Sequence, residues 1–168
     1  FAHTLTTGFC KAETYFAEHP EYFALHNGFR TPEQLCLTNE KVIEIVTAEV
    51  LELLANEHNP EADIQIVSLT QHDNRSYCQC KNCKAIDDEN GSQSGTIVTF
   101  VNEIARRVKE TPGYDNVVFD TFAYQYSRKA PSKVVPAENV IVRLCTIECC
   151  FAHALDDETC SDIDSKLE

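Results

Sequence analysis

With 168 residues, 43% of them apolar, the chain has material for one domain with a real core and is not a disordered polymer. Fourteen Lys and Arg against 27 Asp and Glu leave a net charge of −13, which argues against phosphate backbones and anionic membranes as partners of the surface as a whole. No apolar run reaches the roughly 18 residues of a membrane helix. The sequence starts at Phe1 and contains no Met, which reads as a piece of a longer chain. Nine cysteines are an odd number, so they cannot all pair within one chain. An oxidising compartment leaves one over; a reducing one leaves thiols or metal ligands.

In chain order, apolar β-rich runs alternate with helical stripes, the pattern of βα units and a parallel sheet. "FAHTL" is a short first run, followed by a helical stretch over residues 13–23 that breaks near Pro20. "QLCLT" (34–38) is the next strand. "NEKVIEIVTAEVLELLAN" then places Val42, Ile45, Val46, Leu53 and Leu54 near i, i+3, i+4 spacing, with Thr38 or Asn39 as N-cap. "ADIQIVSLTQHDN" is nearly continuous apolar sequence up to Thr70, as suits a strand covered on both faces. After a cysteine-rich loop, "TIVTFVNEIARRVKE" resumes a helix with Ile97, Val101, Ile104, Ala105 and Val108 on one face and Ser94 as cap. "NVVFDTFAYQY" and "ENVIVRLCTIECC" are the last two strands, joined by the proline-containing loop "SRKAPSKVVPAE". Asp120 and Arg143 fall in mid-strand, where charges are expensive, and read as a buried ion pair. The strands at 34–38, 64–72, 117–125 and 140–148 are expected to be parallel neighbours in chain order.

Parallel sheets bind ligands beyond the carboxyl ends of their strands. Those ends carry His3 and Thr4, Thr38, Gln71 to Asn74, Tyr124 to Tyr126, and Glu148 to Cys150. Asp73 and Glu148 each end an apolar strand, and glycoside hydrolysis needs such a pair: an acid for the leaving oxygen and a carboxylate to attack or to activate water. Asp73 is equally well placed as an Asx-turn residue opening the next loop. His3, His72, Asn74, Tyr124, Gln125 and Tyr126 offer hydrogen bonds and ring faces to a sugar.

The loop "SYCQCKNCKAIDDENGSQSG" (76–95) packs Cys78, Cys80 and Cys83 into C-x-C-x-x-C. Thiolates at this spacing can converge on one Zn²⁺, which takes four ligands at about 2.3 Å. The fourth can come from Cys149, Cys150, Cys36 or His153, and Cys149 is taken as the leading candidate. A Cys80–Cys83 disulfide and three idle thiols remain open alternatives. "GSQSG" before a helix is a flexible turn or, less simply, an anion-binding helix start.

The stretches "HPEYFAL", "QLCLTN", "SLTQHDN…YCQCKNCKAIDDENGSQSG", "DTFAYQYSRKAP" and "NVIVRLCTIECCFAH" together resemble the domain of unknown function family 4838. That family is similar in context to α-glucuronidase-like glycoside hydrolase barrels. The resemblance implies a (β/α)₈ TIM-type barrel from a bacterial carbohydrate-degrading protein, extracellular or periplasmic. A complete barrel takes about 250 residues, so 168 residues supply a little over half of one. The organisation expected is therefore a partial barrel over residues 1–160 and an acidic tail over 161–168, whose closing Leu167-Glu168 fits a cloning remnant. Unpaired sheet edges in such a piece predict association with the rest of a parent chain or with other copies. The expected function is hydrolysis of glycosidic bonds in a polysaccharide by Asp73 and Glu148. The alternatives are a non-catalytic carbohydrate-binding module and a zinc-stabilised structural or interaction domain.

Overall fold

The structure, a computed structural model, describes residues 2–148, 150–154 and 156–160, with Glu148 described by its backbone alone. The tail over 161–168 lies outside the described residues. After a π-helical turn at Leu5–Phe9 and a single turn α1 at Ala12–Tyr15, the strands β1 (Phe23–His26) and β2 (Phe29–Leu35) form an antiparallel hairpin. Its two-residue connection, Asn27-Gly28, has φ of 50° and 86°. That is the left-handed pair a type I′ turn requires, and Asn-Gly is the dipeptide that adopts it most readily. The helix α2 (Glu40–Glu57) follows, started by Asn39, whose Oδ1 accepts from the Lys41 amide at 2.9 Å. Val42, Val46, Val50 and Leu54 form its fully buried stripe.

The strand β3 (Gln65–Ser68) leads through a long connection to α3 (Lys81–Asn90) and α4 (Ser94–Lys109). The polypeptide returns as β4 (Val117–Ala123) and, after residues 124–139, as β5 (Val140–Leu144). These three strands make a parallel sheet in the order β3-β4-β5, with Ser68 opposite Asp120 and Ala123 opposite Leu144. The core lies between the sheet and the helices. Phe119 of β4, Phe100 and Ile104 of α4, Val46 of α2, and Phe23 of the hairpin belong to one buried cluster. On α4 the apolar face is legible from its 3.6-residue spacing, and Glu103, Arg106 and Arg107 pair on the other face. Among the described residues no helix is long and apolar enough to cross a membrane.

The barrel, whole or partial, is overturned. Among the described residues the parallel sheet has three strands with β3 and β5 as open edges, and β1 and β2 form a separate antiparallel sheet. The reason is local. Residues 34–38 are not the parallel strand expected of them, because Asn27-Gly28 reverses the chain and commits Leu35 to pairing with Phe23. Nor do residues 2–5 of that first run become a strand: the chain turns at Leu5 and lies beside β3, with Thr4 Oγ1 donating to the Ser68 carbonyl at 2.6 Å. The later strands do pair in parallel and in chain order, as their apolar runs implied. Asp120 and Arg143 also meet, Arg143 donating through Nη2 to Asp120 Oδ2. The pair is only half buried, however. Asp120 is inside, whereas the Arg143 side chain is 51% exposed and covers the Phe122 ring.

Candidate metal centre and strand-end rim

Three pieces of chain meet beneath the hairpin. Cys36 directly follows β2, its amide donating to the Tyr22 carbonyl at 2.8 Å. The segment around Cys78 runs against β1: the Gln79 amide donates to the Leu25 carbonyl at 2.6 Å, and the Leu25 amide points at Cys78 Sγ at 3.4 Å. Cys80 is the N-cap of α3 and Cys83 lies in its first turn. The four sulfurs of Cys36, Cys78, Cys80 and Cys83 all lie within 4.8 Å of one another, Cys36 being 3.7 Å from Cys80 and 4.0 Å from Cys83. A tetrahedral ion holding thiolates at about 2.3 Å separates its sulfurs by about 3.8 Å. The separations of Cys36 from Cys80 and Cys83 match that value, and the whole set is close enough for one ion to gather.

The surroundings favour negative sulfur. The amide of Leu25 is a donor aimed at Cys78 Sγ, and the Thr38 hydroxyl, 3.2 Å from Cys83 Sγ, is able to donate once that sulfur is ionised. The N-terminus of α3 adds its partial positive charge. Cys36 is 4% and Cys83 1% exposed, so water does not compensate these groups. Without a cation, negative charges this close together oppose the ionisation of all four thiols at once. Hydrogen bonds from Cys78 and then Cys83 hold the Cys36 thiol far below its ordinary range, while the same contact with Cys36 pushes Cys78 up to about 12 and Cys83 higher still. A dication lets all four ionise together. None of the described cysteines is joined in a disulfide.

C-x-C-x-x-C thus supplies three members of the cluster, and the fourth is Cys36. Cys149, the fourth ligand expected from the sequence, lies outside the described residues. The stretch holding the motif is not a loop throughout: residues 81–90 are helical, ended by Gly91 at φ 66°. Hydrophobic periodicity misses α3 because its buried face is Cys83, Asp87 and Asn90, spaced for a helix but polar. Asp87 reaches the start of α4, accepting from the Thr96 amide at 3.1 Å and hydroxyl at 2.5 Å, and burial raises its pKa. Asn90 Oδ1 accepts from the amide of Val134 at 2.8 Å. This arrangement buries Cys36, Cys78 and Cys83 and leaves Cys80 half-buried.

At the carboxyl ends of β3 and β4 the structure gathers His3, His72, Asp73, Tyr124 and Gln125. The His3 and His72 rings stack at 5.7 Å, and Phe122 meets His3 edge-on at 6.1 Å. Asp73 Oδ1 accepts from the Tyr124 hydroxyl at 2.6 Å and from Gln125 Nε2 at 2.9 Å. His3 and Gln125 carry φ of 59° and 51°, a conformation uncommon in non-glycine residues. Asn74 is turned to a structural task, its Oδ1 accepting from Gln34 Nε2 at 3.0 Å and from the Ser76 amide at 3.0 Å. Tyr126 packs inward on Tyr77, away from the rim. Glu148 closes a short 3-10 turn, Thr146–Glu148, after β5; its side chain lies outside the described residues. His3, Phe122, Tyr124, Cys145, Ile147 and Phe151 line a cleft of about 430 Å³ here.

A family model described as Domain of unknown function (DUF4838) matches residues 1–168 of this chain. No curated protein and no solved structure matches it.

Proposed function

Because the chain belongs to the family described as Domain of unknown function (DUF4838), a membership that leaves the chemistry to be read from the site, we propose that it is a zinc-stabilised domain. Cys36, Cys78, Cys80 and Cys83 hold the ion and clamp the β1–β2 hairpin to α3. The observation that carries this is the convergence of four sulfurs from two distant parts of the chain to within 4.8 Å of one another. Soft thiolate donors in a tetrahedral set select zinc over magnesium or calcium. Four protein ligands close the coordination sphere, so the ion's role is structural and no position is left for substrate. Its output is the placement of the rim. Residues 72–80 form one connection, pinned at one end by the Gln34–His72 contacts and at the other by Cys78 and Cys80. Purified under reducing conditions, the protein is expected to retain tightly bound zinc, and Cys36→Ser lowers the content by one equivalent per chain. Elemental analysis checks this. A zinc content unchanged by Cys36→Ser sinks the reading.

A second reading, carbohydrate binding at the rim, is supported by the left-handed His3 and Gln125 beside the Tyr124–Asp73 hydrogen bond. Ring faces and positioned hydrogen-bonding groups are what a sugar's apolar face and hydroxyls require. The net charge of −13 favours neutral over uronic-acid ligands. In its catalytic form this reading assigns acid and nucleophile or base to Asp73 and Glu148. Tyr124→Phe removes the hydroxyl that orients Asp73 and is expected to weaken binding of a neutral oligosaccharide about tenfold, roughly the worth of one hydrogen bond to a charged group. Calorimetric titration against a panel of neutral oligosaccharides measures it, and a panel without any binder refutes it.

A further inference from the structure

Beyond β5 the chain runs C-C-F-A-H-A-L-D-D-E-T-C over residues 149–160. Cys150 Sγ lies 3.1 Å from His153 Nδ1, and with Cys160 Sγ these ligand atoms are all within 4.8 Å of one another. None of the three belongs to the four-cysteine centre. Cys160 is 3% exposed, yet among the described residues of 150–160 there is no helix or strand, and none of them belongs to either buried apolar cluster. Burial in the main core therefore does not explain the position of this thiol. Consecutive turns bring it back: the Asp157 amide donates to the Ala154 carbonyl at 3.2 Å, and the Cys160 amide to the Asp157 carbonyl at 3.1 Å. Asp157 Oδ1 locks the last turn by accepting from the Thr159 hydroxyl at 2.6 Å.

We propose that Cys150, His153 and Cys160 form a second zinc site, built from two thiolates and one imidazole and separate from the four-cysteine centre. That donor set is suited to zinc. A segment without regular structure buries little apolar area, so an ion bridging residues 150, 153 and 160 supplies the ordering that a core supplies elsewhere. Three protein ligands leave the fourth position to water or another donor, the arrangement that keeps a zinc ion reactive rather than sealed. Phe151, next to Cys150 in the chain, lines the same cleft as His3 and Tyr124, so the proposed site adjoins a rim residue and shares no ligand with the centre under the hairpin.

The test is zinc content per chain in protein purified under reducing conditions and dialysed against metal-free buffer, compared with His153→Ala and Cys160→Ser. His153 is exposed, so the first substitution leaves folding intact, as far-UV circular dichroism checks. The expected result is two equivalents in the unaltered chain and one in each variant. Cobalt(II) substitution is expected to show two populations of thiolate-bound metal, one of them lost with His153. A content that His153→Ala leaves unchanged overturns the proposal, as does peptide mapping without reductant that finds Cys150 and Cys160 joined as a disulfide. The two metal readings separate cleanly. If His153→Ala loses an equivalent and Cys36→Ser does not, the second site stands and the four-cysteine centre falls; the reverse pattern removes only the second site.

Discussion

Cys83→Ser, or prolonged chelation of the unaltered protein, is expected to release β1, β2 and α3 from amide protection while β3, β4 and α4 stay protected. A two-stranded hairpin is marginal in water by itself. Here its two faces go to different places: Phe23 and Leu35 reach the main core, while the next residues in the chain, Ala24 and Cys36, join a smaller cluster completed by Cys78 and Cys83. That smaller cluster contains mostly sulfur, and a thiol shell without its ion has no strong reason to stay assembled. At free zinc a thousandfold above the dissociation constant, the metal contributes about 4 kcal/mol to the state that binds it. Losing that much raises local opening of the hairpin by about a thousandfold, which hydrogen exchange followed by mass spectrometry reads directly. Acidification acts in the same direction, because protons compete with the metal for each thiolate and metal affinity falls as pH falls. Uniform loss of protection across the β3-β4-β5 sheet would mean that the ion holds the whole fold. Unchanged protection of β1 and α3 would mean that it holds none of it.

What was legible in the sequence divides along physical lines. The faces of α2 and α4 are apolar at helical spacing, so Val42, Val46, Ile97, Val101 and Ile104 announce themselves. Strands β3, β4 and β5 are short apolar runs, and their parallel order follows from the helices inserted after β3 and the long connection after β4. The helix α3 was illegible because its inward face is Cys83, Asp87 and Asn90, polar groups whose hydrogen bonds go to neighbours such as Thr38, Thr96 and Val134 rather than to an apolar stripe. The hairpin had a signal, Asn27-Gly28, but its second strand reads Arg-Thr-Pro-Glu with no alternation to support it. The barrel followed from the family resemblance, and without that turn residues 34–38 stood available as one more parallel strand. Cys36 stood among four residues offered as the fourth ligand, and nothing in its spacing set it above Cys149. Three ligands close in sequence are visible as a motif, whereas a fourth lying 44 residues before Cys80 is supplied by topology alone. At the rim, strand polarity placed His72, Asp73 and Tyr124 on one edge, but the positive φ of His3 and Gln125 leaves no trace in residue type.

Phe100→Ala is expected to lower the unfolding free energy by about 3–5 kcal/mol, and to do so equally in zinc-loaded and zinc-free protein. Phe100 is 1% exposed on α4, which packs on both α2 and β4. Removing its ring leaves a void bounded by α-helices on one side and a hydrogen-bonded sheet on the other, elements that cannot close in without losing their own contacts, so the cavity term adds to the lost transfer energy. Phe100 and the four cysteines belong to separate buried clusters with no residue in common. Perturbations at sites with no shared partners add to within about 0.5 kcal/mol. Urea unfolding of the two forms, with the exposed β5 residue Ile141→Ala as a control expected to shift stability by less than about 0.5 kcal/mol, measures each quantity. Equal drops in the two forms identify a domain with two independent sources of stability: an apolar core under α4 and an ion under the hairpin. A drop that vanishes when zinc is removed would show instead that the core around Phe100 is not assembled until the four-cysteine centre is filled, and the metal would then be a condition of folding rather than a clamp on one edge of it.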